Sequence, residues 1–292
     1  MSANNEPKLR SKSASIRAYS IMVYVVVIFF SILAVIPFWF MFMNATWDTM
    51  SIQRGIKLWP NPNAFKQLGI NWENLAKRST FSFAVGFKNS LIISVSATAL
   101  TVYFSALTAY GLTVYRFKGR KTIFAIIVGV MMVPTAVNIT GFYRMMSAMG
   151  LLGSKWPLIL PAIAAPSTVF FIKQYLETSL SMEIVEASRI DGAGEFYTFN
   201  RICLPIMIPS LATQGIFSFL GTWNNFFAPS ILLSRNEDKT LPLMVAQLYG
   251  DRYTDYGMIY MGLSASVLPV VIVYAFLQRY IISGVAAGGV KE

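Results

Sequence analysis

Six stretches of this chain run for roughly 20 residues or more with almost no charge, and no other feature limits its fold so sharply. They cover residues 18–43, 85–115, 122–143, 156–175, 205–233 and 256–282. A helix needs about 20 apolar residues to cross the hydrocarbon core of a bilayer. In lipid every backbone polar group must be satisfied internally, so such a run becomes a helix. Several runs exceed the minimum and are expected to tilt or to extend past the lipid. A water-soluble helical bundle would need a polar stripe at helical period, which most of the runs lack. It would also need a charged surface, and only 13% of the residues are charged, against about a quarter in soluble proteins. The expected fold is an all-α integral membrane protein with six transmembrane helices.

Lys8, Arg10, Lys12 and Arg17 ahead of the first run give it the outline of a secretory signal. The run is too long for a signal core and no A-x-A site follows, so it reads as a retained membrane helix. Short loops rich in Lys and Arg face the cytoplasm. The 1–17 tail is one such segment, and Arg116-Phe117-Lys118-Gly119-Arg120-Lys121 is the other. An even number of spans then puts both termini inside. The expected organisation is a cytoplasmic tail (1–17), a six-span body (18–282) and a second cytoplasmic tail (283–292). Residues 44–84, 149–155 and 234–255 fall outside, and residues 176–204 fall inside. The net charge of +11, from 24 Lys+Arg and 13 Asp+Glu, divides nearly evenly between the two sides. Orientation therefore rests on the dense short loops. The inner excess suits anionic lipid headgroups. Nucleic acid drops out, because no basic face belongs to a soluble domain.

Chemistry is narrowed by what is missing. The chain has no histidine, and its single cysteine, Cys203, cannot form an internal disulfide. No metal site is expected. Proton or ion relays of a secondary transporter need acids or histidines inside the spans, and these are almost absent. Without histidine an intramembrane catalytic dyad would need a Lys or Asp/Glu pair within the spans, and no such pair is seen. Prolines at 134, 157, 161, 166, 205, 209, 229 and 269 sit within or at the ends of spans, as kinks or as hinges of a pathway. Gly111, Gly129, Gly215, Gly221 and Gly262 permit close helix contacts.

The inside segment 178–204 is the most informative. Ser181 suits an N-cap, and Glu183 in the first turn favours the helix dipole. Ile184, Val185, Ala187 and Ile190 give a short helix an apolar side, and Gly192 suits a stop at positive φ. A second helical stretch follows, and Pro205 opens the next span. A short amphipathic helix across the membrane face is suited to docking in a groove of another protein.

Here the chain resembles the membrane-spanning subunits of ATP-binding-cassette (ABC) importers. Their cytoplasmic pattern is EAA, three residues, Gly, nine residues, then I-x-L-P. Glu186-Ala187-Ser188, Gly192 and Ile202-Cys203-Leu204-Pro205 match it at both spacings, with Ser188 replacing the second Ala. Ile190-Asp191-Gly192-Ala193, Asn89-Ser90, Arg116-Phe117-x-Gly119-Arg120 and Trp223-Asn224-x-Phe226 resemble the carbohydrate branch of that family. The tail Ala286-Ala287-Gly288-Gly289-Val290-Lys291 is similar to that of MalG-type permeases, and the likeness covers nearly the whole chain.

The resemblance implies half of a translocation pathway in the bacterial cytoplasmic membrane. Its partners would be a second, MalF-like permease, two ABC ATPases that bind ATP and Mg, and an external solute-binding protein. This chain would hold no cofactor, and it has no G-x-x-x-x-G-K-[ST] loop. Coupling falls to residues 186–193. Glu186 is the polar anchor, Ala187 and Ser188 are small so the helix can sit deep, Ile190 makes apolar contact, and Asp191, Gly192 and Ala193 form the turn. Gly288 and Gly289 would let the tail approach the ATPases, or belong to a frayed terminus. Candidates along the pathway are Asn89, Trp223, Asn224, Asn225, Phe226 and Arg144. Amides can donate to and accept from sugar hydroxyls. Carbohydrate relatives often carry an acid where this chain has neutral Asn225. An acidic oligo- or polysaccharide such as alginate is thus one reading, with Arg144 and Lys88 in support or merely snorkelling. The outer positive charge would serve that cargo or the binding protein. The competing readings are an ABC permease for a non-sugar solute such as glycerol phosphate, and an ATPase-independent channel.

Overall fold

The computed structural model describes residues 9–134, 138–249 and 254–289, and every regular element among them is helical. The chain divides into two units: Met1–Asn74 with Asp255–Ser264, and Leu75–Thr254 with Ala265–Glu292.

The first unit is built on α1 (Leu9–Asn44), whose stretch Tyr19–Asn44 is 26 residues long and apolar all round. At its end a polar collar replaces the loop expected there. Asn44 donates to the carbonyls of Phe40 (2.7 Å) and Lys57 (3.1 Å) and accepts from the Lys57 amide (3.0 Å). Asn71, on α3 (Ala64–Ala76), donates to the carbonyls of Ala45 and Trp47. Asp255 accepts from Thr49 Oγ1 (2.6 Å) and Asn74 Nδ2 (3.3 Å), with Thr49 opening α2 (Thr49–Gln53). A Cβ on Gly257 would lie 2.5 Å from the Trp47 carbonyl oxygen, so only glycine fits there. Buried backbone groups need partners, and these amides and carboxylate supply them.

The second unit is built on α4 (Phe83–Val114), 32 residues and about 48 Å long. Its buried face reads Ser90, Ser94, Ala97, Thr101, Ser105, Ala109, a helical spacing of small residues that admits close neighbours. Packed on it are α8 (Pro166–Ser179) and α12 (Ile208–Trp223). Of the glycines marked for close contact, Gly215 of α12 makes one: a Cβ there would meet Val102 at 3.5 Å. Gly111, Gly129 and Gly221 have nothing within 4 Å. On the outer flank of α8, α5 (Arg120–Met131) places Phe124 under the Lys173 ammonium, 4.4 Å from the ring centroid. That cation–π contact and the ion pair with Glu177 account for a buried lysine.

Separate groups of segments gather at the two ends of α4. At its N-terminal end, Asn89 holds the carbonyls of Glu237 and Lys239, and Ser90 Oγ accepts from the Leu241 amide at the start of α14 (Leu241–Ala246). The Gly153 amide joins this end by donating to the Leu232 carbonyl, and Lys155 by pairing with Asp238. At the C-terminal end stand the basic loop 116–121 and the segment 180–203.

Among the described residues four helices are long and apolar enough to span a membrane, five if one bent pair counts as a single span. Three expected spans differ in continuity from the sequence reading. The stretch 122–143 is not one helix: α5 stops at Met131, just before Pro134, and α6 (Ile139–Ala148) follows. Twelve residues rise only about 18 Å, too short to cross. Nor does the fifth span begin at Pro205. The helix Glu195–Ile206, made of α10 (Glu195–Tyr197), a π-helical stretch (Thr198–Cys203) and α11 (Leu204–Ile206), meets α12 at an 80° bend at Met207. Pro205 and Pro209 lack the amides that would carry one straight helix through this point. The stretch 156–175 is also broken: α7 (Trp156–Ile159) and a 3₁₀ turn precede α8, which starts at Pro166. By contrast Pro37 and Pro269 lie inside the continuous helices α1 and α15 (Tyr256–Gly289).

Candidate functional site

The short helix of the inside segment is α9 (Met182–Ile190). Ser181 caps it by accepting from the Glu183 amide at 3.2 Å. It ends in a full Schellman motif: the Gly192 amide donates to the Arg189 carbonyl (3.1 Å) and the Ala193 amide to the Ser188 carbonyl (2.9 Å). Gly192 has φ +78°, the left-handed region that other L-residues enter at a cost. Asp191 is the C-cap.

The helix has two different apolar sides. Val185 and Ser188 point inward, into a cluster with Tyr110, Ile172, Leu176, Phe199 and Met207. The Ser188 hydroxyl donates to the Val185 carbonyl (2.8 Å) and shares a 3.1 Å hydrogen bond with that of Thr198. Ser188 is therefore small because its own chain surrounds it. Ile184, Glu186, Ala187 and Ile190 form the outer side, and Ile190 is 86% exposed. Phe196 and Tyr197, just past the turn, are also exposed.

A clamp joins this loop to α4. Arg189 donates to Glu195 from Nε (2.8 Å) and Nη2 (3.2 Å), and the Tyr115 hydroxyl donates to the same carboxylate at 2.5 Å. The guanidinium lies 5.9 Å from the Tyr115 ring centroid. Hydrogen bonds from Arg189 and then Tyr115 hold the Glu195 carboxyl below its ordinary range. Opposite charges flanking the Gly192 turn were the available sequence signal for this pair, and Tyr115 gave none.

The pathway candidates scatter. Trp223 is buried, stacked on Phe219 (5.7 Å) and edge-on to Phe87 (5.8 Å). Asn89 is buried, and its amide donates to two carbonyls at the end of α4. Asn224 ends α12 as its C-cap. Asn225 Oδ1 accepts from the Ala228 amide (3.2 Å), which caps α13 (Phe227–Leu232). Asn224, Asn225 and Phe226 are exposed at this break, and Arg144 is exposed on α6. Gly288 and Gly289 continue α15 as helix, where the sequence reading has a separate tail from residue 283; Val290 and Lys291 of that tail lie outside the described residues.

Comparison with known proteins gives a consistent picture. Residues 101–286 match the family model "Binding-protein-dependent transport system inner membrane component". The arabinooligosaccharides transport system permease protein AraQ of Bacillus subtilis is 39% identical over 205 residues, covering 70% of this chain and 73% of AraQ. The diacetylchitobiose uptake system permease protein NgcG of Streptomyces coelicolor is 29% identical over 286 residues, covering 96% and 91%. The fold matches a chain of a bacterial ABC transporter involved in import of the acidic polysaccharide alginate. That match has a TM-score of 0.77 and 22% identity, over 91% of this chain and 97% of that one.

Proposed function

We propose, from the premise that this chain belongs to the family of inner membrane components of binding-protein-dependent transport systems, that it forms one half of the sugar pathway of an ABC importer. It is a multi-pass permease subunit, a transport component and not an enzyme, and it carries no cofactor of its own. A solute-binding protein delivers the cargo. A second, MalF-like permease completes the pathway, and two ATPases bind ATP and Mg²⁺ on the cytoplasmic side.

The observation that carries the coupling role is the two-sided character of α9. Val185 and Ser188 fix the helix to its own chain, while Ile184, Ala187 and Ile190 present an apolar stripe beside Glu186. A stripe of that kind at i, i+3, i+6 is what a groove on a partner takes. When the ATPases close, they move α9, and the Arg189–Glu195–Tyr115 clamp passes the movement to the end of α4. The six-span reading is supported by counting α5 and α6 as one span broken at Pro134 and the bent pair as the fifth. Cytoplasmic termini are supported by the basic loop 116–121 sharing an end of α4 with α9.

A carbohydrate cargo is supported by the substrates named for the relatives, arabinooligosaccharides and diacetylchitobiose. An acidic sugar is the narrower reading, supported by neutral Asn225 and the outer positive charge. The test is co-purification of the ATPases with the detergent-solubilised complex. Wild type retains them, and Ile190→Glu loses them while the two permeases stay together. Retention by Ile190→Glu and by Ala187→Glu alike would show that α9 does not dock.

A further inference from the structure

Along the N-terminal half of α4 there is a cleft of about 640 Å³ that the coupling account does not use. This is within the size range of small-molecule sites, roughly 300–1,000 Å³. One wall is apolar, from Ile92 and Leu100 of α4. Facing it is Trp156 at the start of α7, a ring 54% exposed, which burial in the core does not explain. The rim is polar. Lys155 donates to Asp238 Oδ1 (3.2 Å), and Arg235 Nε donates to Asp238 Oδ2 (3.0 Å). Arg235 also donates to the Gly153 carbonyl (3.3 Å), so the rim is held in place from two loops. Ser96 adds a hydroxyl from the wall.

We infer that this cleft is a sugar subsite at the outer mouth of the pathway, resting on the carbohydrate reading above. A pyranose or furanose ring has C–H faces and a belt of hydroxyls. The apolar wall and the indole fit the faces, as amphipathic rings do where one side is dry and the other wet. The belt meets an arrangement that both donates and accepts: ammonium and guanidinium donate, and the Asp238 carboxylate accepts. Because the charged groups already pair with one another, they are oriented before cargo arrives and need little reorganisation. Position supports the same reading, since the cleft runs along the half of α4 away from the α9 loop, with its charged rim toward the end where the binding protein would deliver cargo. Arg235 also pairs with Glu237 Oε1 (3.2 Å), so two cations balance two carboxylates at the rim, and Arg235, the more exposed cation, is the group able to turn toward a uronic acid.

The test uses the whole complex with its binding protein in proteoliposomes. Arabinotriose, raffinose and an alginate pentasaccharide are the probes, and sugar imported per ATP hydrolysed is the quantity read. Trp156→Ala is expected to lower that ratio about tenfold, the effect of losing ~1.4 kcal/mol of contact. Trp156→Phe restores most of it. Arg235→Gln lowers the ratio for the pentasaccharide more than for the neutral sugars if the cargo is acidic, and equally for all imported sugars if it is neutral. A structural role for Trp156 would lower uptake and hydrolysis together and leave the ratio unchanged. That result, or Trp156→Ala at the wild-type ratio, overturns the subsite while import by the wild type upholds the carbohydrate reading. A wild-type complex that imports none of the three overturns both. As an independent readout, Ser96→Cys is expected to be shielded by an imported sugar from a hydrophilic thiol reagent, the native Cys203 being buried. Equal labelling with and without sugar would also overturn the subsite.

Discussion

Gly192 is where the coupling account can be pressed hardest, because its constraints separate cleanly. Its φ of +78° is the only obstacle to a side chain, since an added Cβ would meet nothing within 4 Å. Gly192→Ala therefore keeps the amide bond to the Arg189 carbonyl, adds no clash, and costs only the left-handed conformation, ~1–2 kcal/mol. That lowers the population of the closed turn by about 5- to 30-fold relative to its alternatives. Asn enters this region more readily, so Gly192→Asn should fall between glycine and alanine. Gly192→Pro fixes φ near −65° and removes the donor, so it should abolish the turn. The assay is sugar import per ATP in reconstituted complexes, with membrane insertion followed alongside. The expected order is Gly, Asn, Ala, Pro, with insertion unchanged throughout. If Ala equals Gly, or Asn is no better than Ala, the turn is not what couples hydrolysis to transport.

Three further outcomes are expected. In Glu195 the folded carboxyl is held below its ordinary value, so the clamp is intact above the usual carboxylate range and is lost as pH falls through the lowered value. Coupling should hold steady from neutral pH downward and fail only in acid, and Glu195→Gln should give weak coupling with no such acid limb. Asn89→Leu takes the donor from two carbonyls, that of Glu237 and the buried one of Lys239, and should destabilise the complex by about 1–3 kcal/mol, read as a lowered Tm. Gly257→Ala drives a Cβ to 2.5 Å from the Trp47 carbonyl oxygen, so the collar of the first unit must shift, and protease nicking within residues 44–76 should accelerate.

Much of α9 was legible because its signals are local. Ser181 caps and Gly192 turns, and both roles follow from residue type and spacing. Which side faces the protein was not legible. Val185, Ile184, Ala187 and Ile190 are all apolar or small, and only the position of Phe199 and Ile172 decides that Val185 goes in and Ile190 stays out. Four of the six expected spans, five with the bent pair, were legible by composition among the described residues, but the breaks depend on how neighbours treat each proline. Pro37 and Pro269 leave their helices continuous, while a break lies at Pro134 and an 80° bend between Pro205 and Pro209. From the sequence, residues 44–84 read only as an outside segment. Their order comes from single amides, Asn44 and Asn71, reaching carbonyls many residues away, and no periodicity announces that. Asn225, marked as a polar group inside a span, caps the helix that starts just after it.

The central claim is that this chain carries sugar only when ATPases move it. The direct measurement is uptake of labelled oligosaccharide into proteoliposomes holding this chain, its partner permease and the ATPases, with the loaded binding protein outside and ATP sealed inside. The account predicts import that requires both ATP and the binding protein and that Gly192→Pro abolishes. Import that proceeds equally without ATP, or a complex that hydrolyses ATP in response to the loaded binding protein yet imports no sugar, would contradict it.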